Sequence, residues 1–322
     1  MKTQHLVATS IVGVLALTAT ATACGRGGGG KTTSDGKPVV IGLAVANLQA
    51  DFFNQIKQSV EAEAKKKGAK VVVSDARGDS ATQVNQIQDF ISRGVSTIIY
   101  IPAGATAAAV PVKAAERAKI PVITVDRNPA GAPGKSFIAS DSVAASRQLG
   151  EWVVKKKGGK GKLAVLQGQI GTTPQVDRQK GFTQALKTAP GIKVVSQQPA
   201  DWAQDKAYTV AQDMLQANPG IDIMWGQADA MALGAARAAK SAGGPKRLIV
   251  GFDGDIAGMK AVRNGTIDAT MVQQTQKMGR MAVTTSLDIL DKKKVPAEQL
   301  LPAHLLTKDD TAKADQYIKT HP

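Results

Sequence analysis

From Val39 onward the chain alternates short apolar runs with stretches in which apolar residues recur every three or four positions. Residues 39–45 (VVIGLAV) form a continuous run rich in β-branched side chains, the pattern of a strand buried on both faces. After it, residues 52–67 place Phe53, Ile56, Val60 and Ala64 along one side of a helix. Gly68 ends that helix before a strand over 70–74. The same periodicities predict a helix over 79–94, a strand over 97–101, a helix over 105–118 and a strand over 121–125. Strict strand–helix alternation dictates a parallel sheet with helices on both faces, because parallel neighbours need a crossover connection.

The pattern restarts at Gly161. Strands are predicted over 162–167, 192–197, 221–225 and 247–252, with helices over 176–187, 208–217 and 229–242 between them. KVVVSD at 70–75 and KVVSQ at 193–197 occupy matching places, so the chain reads as two similar α/β units in tandem. A strand over 269–273 and a helix over 278–291 follow, and the tail with Leu301, Leu305 and Leu306 must complete a sheet or cross between the units.

Ahead of this body, Leu6–Leu17 is apolar but too short to span a bilayer, which takes roughly 20 residues. A basic start at Lys2 and small residues up to Ala23 predict a secretory signal peptide over 1–23. The end of that segment, Ala21-Thr22-Ala23-Cys24, resembles the bacterial lipoprotein cleavage motif, in which the cysteine is acylated. Ala21 stands where that motif usually has Leu, and an ordinary signal peptide with an incidental cysteine is the alternative. The expectation is lipid attachment at Cys24, a Gly/Ser/Thr-rich flexible tether over 24–37, and an extracytoplasmic protein anchored to the cell membrane.

Composition narrows the chemistry. Among 322 residues there are one cysteine and three histidines, with a formal net charge of +15. One cysteine makes neither an internal disulfide nor a thiolate zinc site, and His5, His304 and His321 leave little material for histidine-dependent catalysis. The charge suggests nucleic acid as a partner. However, the triplets Lys65–Lys67, Lys155–Lys157 and Lys292–Lys294 each close a predicted helix, where cations oppose the macrodipole. They lack the interleaved aromatics of a base-stacking platform, so they read as solvated surface, with no nucleic acid. Gly25–Gly30 has no buried strand before it and is not a phosphate loop.

Six further segments carry a family resemblance. They are IPVITVDR at 120–127, IASD at 138–141, LQG at 166–168, QPADW at 198–202, MALGA at 231–235 and VGFDG at 250–254. In this order and spacing the chain resembles the solute-binding proteins of bacterial ABC sugar importers, specifically the ribose-binding type. The resemblance implies a type I periplasmic-binding-protein fold: two doubly wound parallel-sheet domains joined by three crossing strands. The domains would be 38–140 with 274–303 and 141–273 with 304–322. It also implies a monomer without cofactor or catalytic residues, which closes on a monosaccharide or polyol and delivers it to the permease subunits of the importer.

Carried over onto this sequence, Phe52, Phe53, Asp126, Arg127, Trp202, Asp253 and Gln273 match the family's sugar contacts, with Trp202 where Phe is common. Four positions depart: Ala50, Ile101 and Ala228 stand where Asn is expected, and Val176 where Arg is expected, with Arg178 two residues on. Gln49, Asp51, Gln169, Gln175 and Gln227 are candidate replacements, and the ligand need not be ribose. Physical reasoning supports such a set, since buried hydroxyls need fixed polar partners and aromatic rings cover the C–H faces of a sugar. Helical spacing makes one of Phe52 and Phe53 core, leaving at most one to cover the ligand unless the loop presents both.

Three rivals were weighed. A repressor with the same two domains needs a DNA-binding helix-turn-helix before Val39, where a signal-like segment stands instead. An exported hydrolase using Asp126 and Asp253 is disfavoured because Arg127 should keep its neighbour ionised. A receptor feeding a sensor rather than an importer remains open.

Overall fold

The computed structural model describes residues 30–33 and 36–320, so the predicted signal peptide and Cys24 lie outside the described residues. The first sheet has the order β11-β5-β4-β3-β1-β2. Its strands are β1 (Val40–Val45), β2 (Lys70–Asp75), β3 (Thr97–Tyr100), β4 (Val122–Val125), β5 (Ser136–Ser140) and β11 (Glu298–Leu301). All of their pairings are parallel. On one face pack α1 (Asp51–Lys66) and α9 (Thr275–Leu290), and on the other α2 (Ser80–Ser92) and α3 (Ala109–Arg117). Ile41, Leu43 and Val45 of β1 point to the α1 side and Ala44 to the other, the period-two alternation of a strand covered on both faces.

The second sheet has the order β12-β10-β9-β8-β6-β7. It is built from β6 (Lys160–Gln167), β7 (Gly191–Pro199), β8 (Ile223–Gly226), β9 (Leu248–Val250), β10 (Ala269–Val272) and β12 (His304–Thr307). One face carries α4 (Ser142–Lys156) and α5 (Thr173–Leu186). The other carries α6 (Gln204–Ala217), α7 (Asp229–Ala242), α8 (Ile256–Asn264) and α10 (Thr311–Thr320). Strand β12 runs antiparallel to β10, a departure from an all-parallel sheet. It follows β11 after only Pro302 and Ala303, too short a link for a crossover helix.

The chain passes between the lobes three times: from β5 through Asp141 into α4, from β10 through Gln273 and Gln274 into α9, and from β11 into β12. Asp141 caps α4 by accepting the Ala144 N–H at 2.9 Å, so one residue ends a strand in one lobe and starts a helix in the other.

Several elements escape the sequence pattern. β5 is five residues with serine at both ends, and α8 is nine residues long, each too short for its periodicity to stand out. α5 begins at Thr173, with Pro174 in its first turn, three residues before the predicted start. The end of the expected flexible tether is corrected too. Thr32 bridges Pro38 in antiparallel fashion, the Thr33 N–H donates to the Lys37 carbonyl at 2.7 Å, and the Lys31 N–H donates to the Gly68 carbonyl at 2.8 Å. Among the described residues no helix is long and apolar enough to cross a membrane.

Candidate functional site

Parallel α/β sheets place ligands beyond the carboxyl ends of their strands. Here the two sheets turn those ends toward each other across a cleft of about 250 Å³. Asp126 follows β4 directly and lies in the left-handed region at φ 61°, a conformation costly for a non-glycine residue and common at functional sites. Arg127 beside it is almost fully buried. Its Nη1 donates to the carbonyls of Pro102 and Ala103, both at 2.9 Å, and to Oε1 of Gln169 from the other lobe at 3.4 Å. Its Nε lies 3.5 Å from Asp126 Oδ2. The guanidinium sits 5.4 Å from the Phe53 ring centroid and 5.8 Å from that of Trp202.

Phe52 and Phe53 both line the cleft. They open α1 and meet edge to face, with centroids 5.2 Å apart and planes at 75°. The expectation that at most one reaches the cleft is thus corrected: at the first turn of the helix both rings belong to the core and to the cleft wall at once.

The second lobe supplies a matching arginine. Arg178 Nη1 donates to the Gln227 carbonyl at 2.5 Å and pairs with Asp253 Oδ1 at 3.1 Å. Its guanidinium stacks 3.9 Å over Phe252 and lies 5.4 Å from the Trp202 ring, so Trp202 is within cation–π range of both arginines. Asp253, at φ 127°, also accepts the Gln273 Nε2–H at 2.8 Å. Gln273 therefore acts on the site through Asp253. Trp202, at φ 67°, rests its ring against Gly168, where a Cβ would fall inside the indole.

Behind this wall Asp229, fully buried, accepts from the N–H groups of Gly254 (2.8 Å) and Asp255 (3.2 Å) and from the Thr270 hydroxyl (2.5 Å). It holds the loop that carries Asp253. Asp255 caps α8 through the Gly258 N–H at 2.6 Å and lines the cleft.

Burial dominates the electrostatics. It pushes the Asp253 carboxyl up to about 7 against the pull of Arg178, and Asp255 and Asp126 add to the rise. It also raises Asp126, with Arg127 and then Arg178 opposing. Arg127 does pull Asp126 toward its ionised form, as expected, but desolvation of the buried carboxylate is the larger effect and the net shift is upward. Burial raises Asp229 and Asp255 as well, and lowers Arg127 against the pull of Asp126.

Of the candidate replacements, Gln49 and Asp51 line the cleft. Gln169 accepts from Arg127, and Gln175 Oε1 accepts the Gly171 N–H at 3.2 Å. Gln227 uses both ends of its amide, accepting from Gly168 N–H at 2.9 Å and donating to Gln179 at 3.0 Å. These three brace the walls and do not line the cleft. Ala50 and Ala228 line it, whereas Ile101 is pure core.

Val176 is 49% exposed and points away, so the arginine believed lost is supplied by Arg178. The signal was present in the spacing, since Pro174, Arg178, Phe182 and Ala185 share the buried side of α5. Placing the helix start three residues late hid it.

Four buried side-chain atoms around this one cleft have no hydrogen-bond partner: Arg127 Nε, Arg178 Nε, Trp202 Nε1 and Gln273 Oε1. All four atoms are sealed from the cleft surface and Gln273 does not line it, so the polar groups presented to a guest are the side chains of Asp126, Arg127, Arg178 and Asp253 on its wall. A cavity of about 250 Å³ lies just below the range of about 300–1,000 Å³ usual for drug-sized ligands and suits a smaller molecule.

Known proteins share this architecture. A ribose import binding protein of Salmonella typhimurium is 36% identical over 83% of this chain and 90% of the relative. A xylitol-binding protein of Mycolicibacterium smegmatis is 30% identical over 93% of this chain and 85% of its own length. In three dimensions the chain superposes on the periplasmic component of an arabinose ABC transporter from Shewanella, bound to L-arabinofuranose. The TM-score is 0.82 at 30% identity, covering 88% of this chain and 96% of that one. The family model described as a periplasmic binding protein domain matches residues 41–294. The chain therefore belongs to the periplasmic binding protein family.

Proposed function

We propose that this chain is the extracytoplasmic receptor of an ABC importer, capturing a monosaccharide or polyol between its lobes and presenting the closed form to the permease. The observation that carries the reading is a cleft between the lobes walled by Phe52, Phe53 and Trp202 and lined by two arginine–aspartate pairs, Arg127 with Asp126 and Arg178 with Asp253. The hydroxyls of a polyhydroxylated ring or chain pair with those charged groups, while Phe52, Phe53 and Trp202 cover its C–H faces. Asp126 and Asp253 accept hydrogen bonds from ligand hydroxyls on opposite lobes, which makes closure part of binding. With Ala50 and Ala228 on the wall, the hydrogen-bonding set is smaller than the ribose-type pattern, which favours a ligand with fewer hydroxyl contacts.

The sheet memberships and the three crossings support a division into 38–140 with 274–303 and 141–273 with 304–322. The family resemblance favours export by a signal at 1–23, acylation of Cys24, a monomeric body and binding without turnover.

A thermal-shift screen of monosaccharides and polyols tests the function. A ligand bound by the folded state alone raises the melting temperature in proportion to the logarithm of its concentration above Kd. Silence across the whole panel, or hydrolysis of offered glycosides, refutes it.

A further inference from the structure

Two of the three lysine triplets, more than two hundred residues apart in sequence, come together in space. Helix α1 ends at Lys65 and Lys66 with Lys67 as its cap, and Lys292–Lys294 follow directly on α9, which packs against α1. Lys31 lies between them: its N–H donates to the Gly68 carbonyl, just past the first triplet, and its Nζ meets Asp291, just before the second, at 2.9 Å. The six lysines of the triplets are exposed. Carboxylates engage Lys67 (Glu63, 3.8 Å) and Lys293 (Asp288, 2.8 Å; Asp291, 4.0 Å), so the face keeps a positive excess.

This face is the base of the first lobe. The start of β1 pairs with the start of β2 here, Val40 opposite Lys70, and the cleft lies about 20 Å away at the far end of the strands. It is also where the chain enters the lobe, with residues 31–33 paired antiparallel to residues 37–39. From Cys24 to Gly30 the backbone reaches at most about 20 Å. We propose that this basic base is a membrane-docking surface, which adsorbs to anionic lipid headgroups. An acyl anchor at Cys24 tethers the chain without orienting its body, and a basic face contributes about 1 kcal/mol per lysine held near an anionic surface. The position of the tether rests on the lipoprotein reading; the charge of the face does not.

The test uses the mature chain, residues 24–322 with Cys24→Ser, which keeps every described residue and removes the acylation site. Vesicles of phosphatidylglycerol and phosphatidylcholine in equal parts should sediment it, and pure phosphatidylcholine vesicles or high salt should not. Each lysine near an anionic surface contributes about fivefold in partitioning, so K65Q/K66Q/K292Q/K294Q should weaken adsorption by nearly three orders of magnitude, about 600-fold. The same number of changes at the base of the second lobe, K155Q/K160Q/K187Q/K240Q, alters net charge equally and should cost no more than about threefold. Equal losses from the two variants, or no dependence on phosphatidylglycerol, overturn the proposal. Because the probe carries no acyl group, either result stands whether or not Cys24 is lipidated in the cell, which mass spectrometry of the exported protein decides separately.

Discussion

The Thr173 hydroxyl accepts the Asn128 N–H at 2.9 Å and donates back to the Asn128 carbonyl at 3.2 Å, stitching the first lobe to the start of α5 in the second. Nearby, Gly104 lies so close to Gln169 that a Cβ would come within 2.9 Å of its Nε2, and Gly171 meets Ala105. The lobes thus hold each other directly, apart from any ligand.

Thr173→Val keeps the shape and removes both bonds. A neutral hydrogen bond contributes about 0.5–1.5 kcal/mol net, so losing two should lower affinity for whichever sugar shifts the parent protein by about five- to 150-fold, mostly through faster dissociation. Calorimetry together with stopped-flow dissociation checks this. Unchanged kinetics would show that the latch does not contribute to closure.

Arg178 and Val176 separate two registers of α5. Arg178→Ala leaves Asp253 buried beside an empty position and removes the stack on Phe252, and loss of a buried charge partner costs roughly 3–5 kcal/mol. Ligand-induced thermal shift should vanish, whereas Val176→Ala, on the exposed side of the helix, should leave it intact. The opposite pattern would mean that the site is wrongly placed.

How much of this was legible in sequence differs by element. Buried parallel strands announce themselves because both faces are apolar, and the residues directly after them, Asp126-Arg127 and Asp253, could be placed at the cleft edge from that alone. Arg178 was hidden by a helix boundary, the least certain feature of any periodic reading. The bracing roles of Gln169, Gln175 and Gln227 depend on contacts to backbone groups far along the chain, which no local pattern encodes. The same is true of Asp229, whose three hydrogen bonds come from the β9–α8 loop and β10.

Asp253 couples stability to pH. Its folded pKa of about 7 stands above the ordinary 3.8, so the native state binds the proton more tightly than the unfolded chain. Its contribution to stability is therefore fully present below about pH 4 and is lost as pH rises through 7. Relative to Asp253→Asn, the parent should lose stability across that window with a slope approaching about 1.4 kcal/mol per pH unit. Urea titrations at stepped pH read this directly, and parallel curves for the two proteins would contradict it. Ligand affinity should move the other way, rising between about pH 6 and 8, because the ionised carboxylate is the stronger hydroxyl acceptor.

Asp126→Asn and Arg127→Ala probe the first lobe. Asparagine keeps an acceptor but removes the charge facing Arg127, and the binding loss should be partial. Alanine at 127 strips the carbonyls of Pro102 and Ala103 and Oε1 of Gln169 of their shared donor and leaves Asp126 unpaired. With a penalty of at least about 3 kcal/mol, binding should fall more than about a hundredfold by calorimetry. A smaller effect for Arg127→Ala than for Asp126→Asn would reverse the assigned roles.

Trp202 offers a direct optical test. Trp225 is fully buried and stacked on Phe182 at 4.0 Å, and Trp152 lies on α4 beside Lys156, so of the three tryptophans Trp202 alone lines the cleft. Ligand binding should therefore change the intrinsic fluorescence through this residue, and Trp202→Phe should abolish the change. The phenyl ring still covers the ligand but has no N–H to donate, so affinity should drop only about three- to tenfold. Gly168→Ala reaches the same ring from beneath, because its methyl group would occupy the space of the indole. Overpacking of this kind costs about 1–3 kcal/mol, and here the ring can yield only by swinging toward the arginines. Gly168→Ala should therefore lower both the melting temperature and the affinity, while Gly168→Ala combined with Trp202→Ala should recover stability without recovering binding. Full binding by Gly168→Ala would show that the indole does not hold its place in the cleft wall.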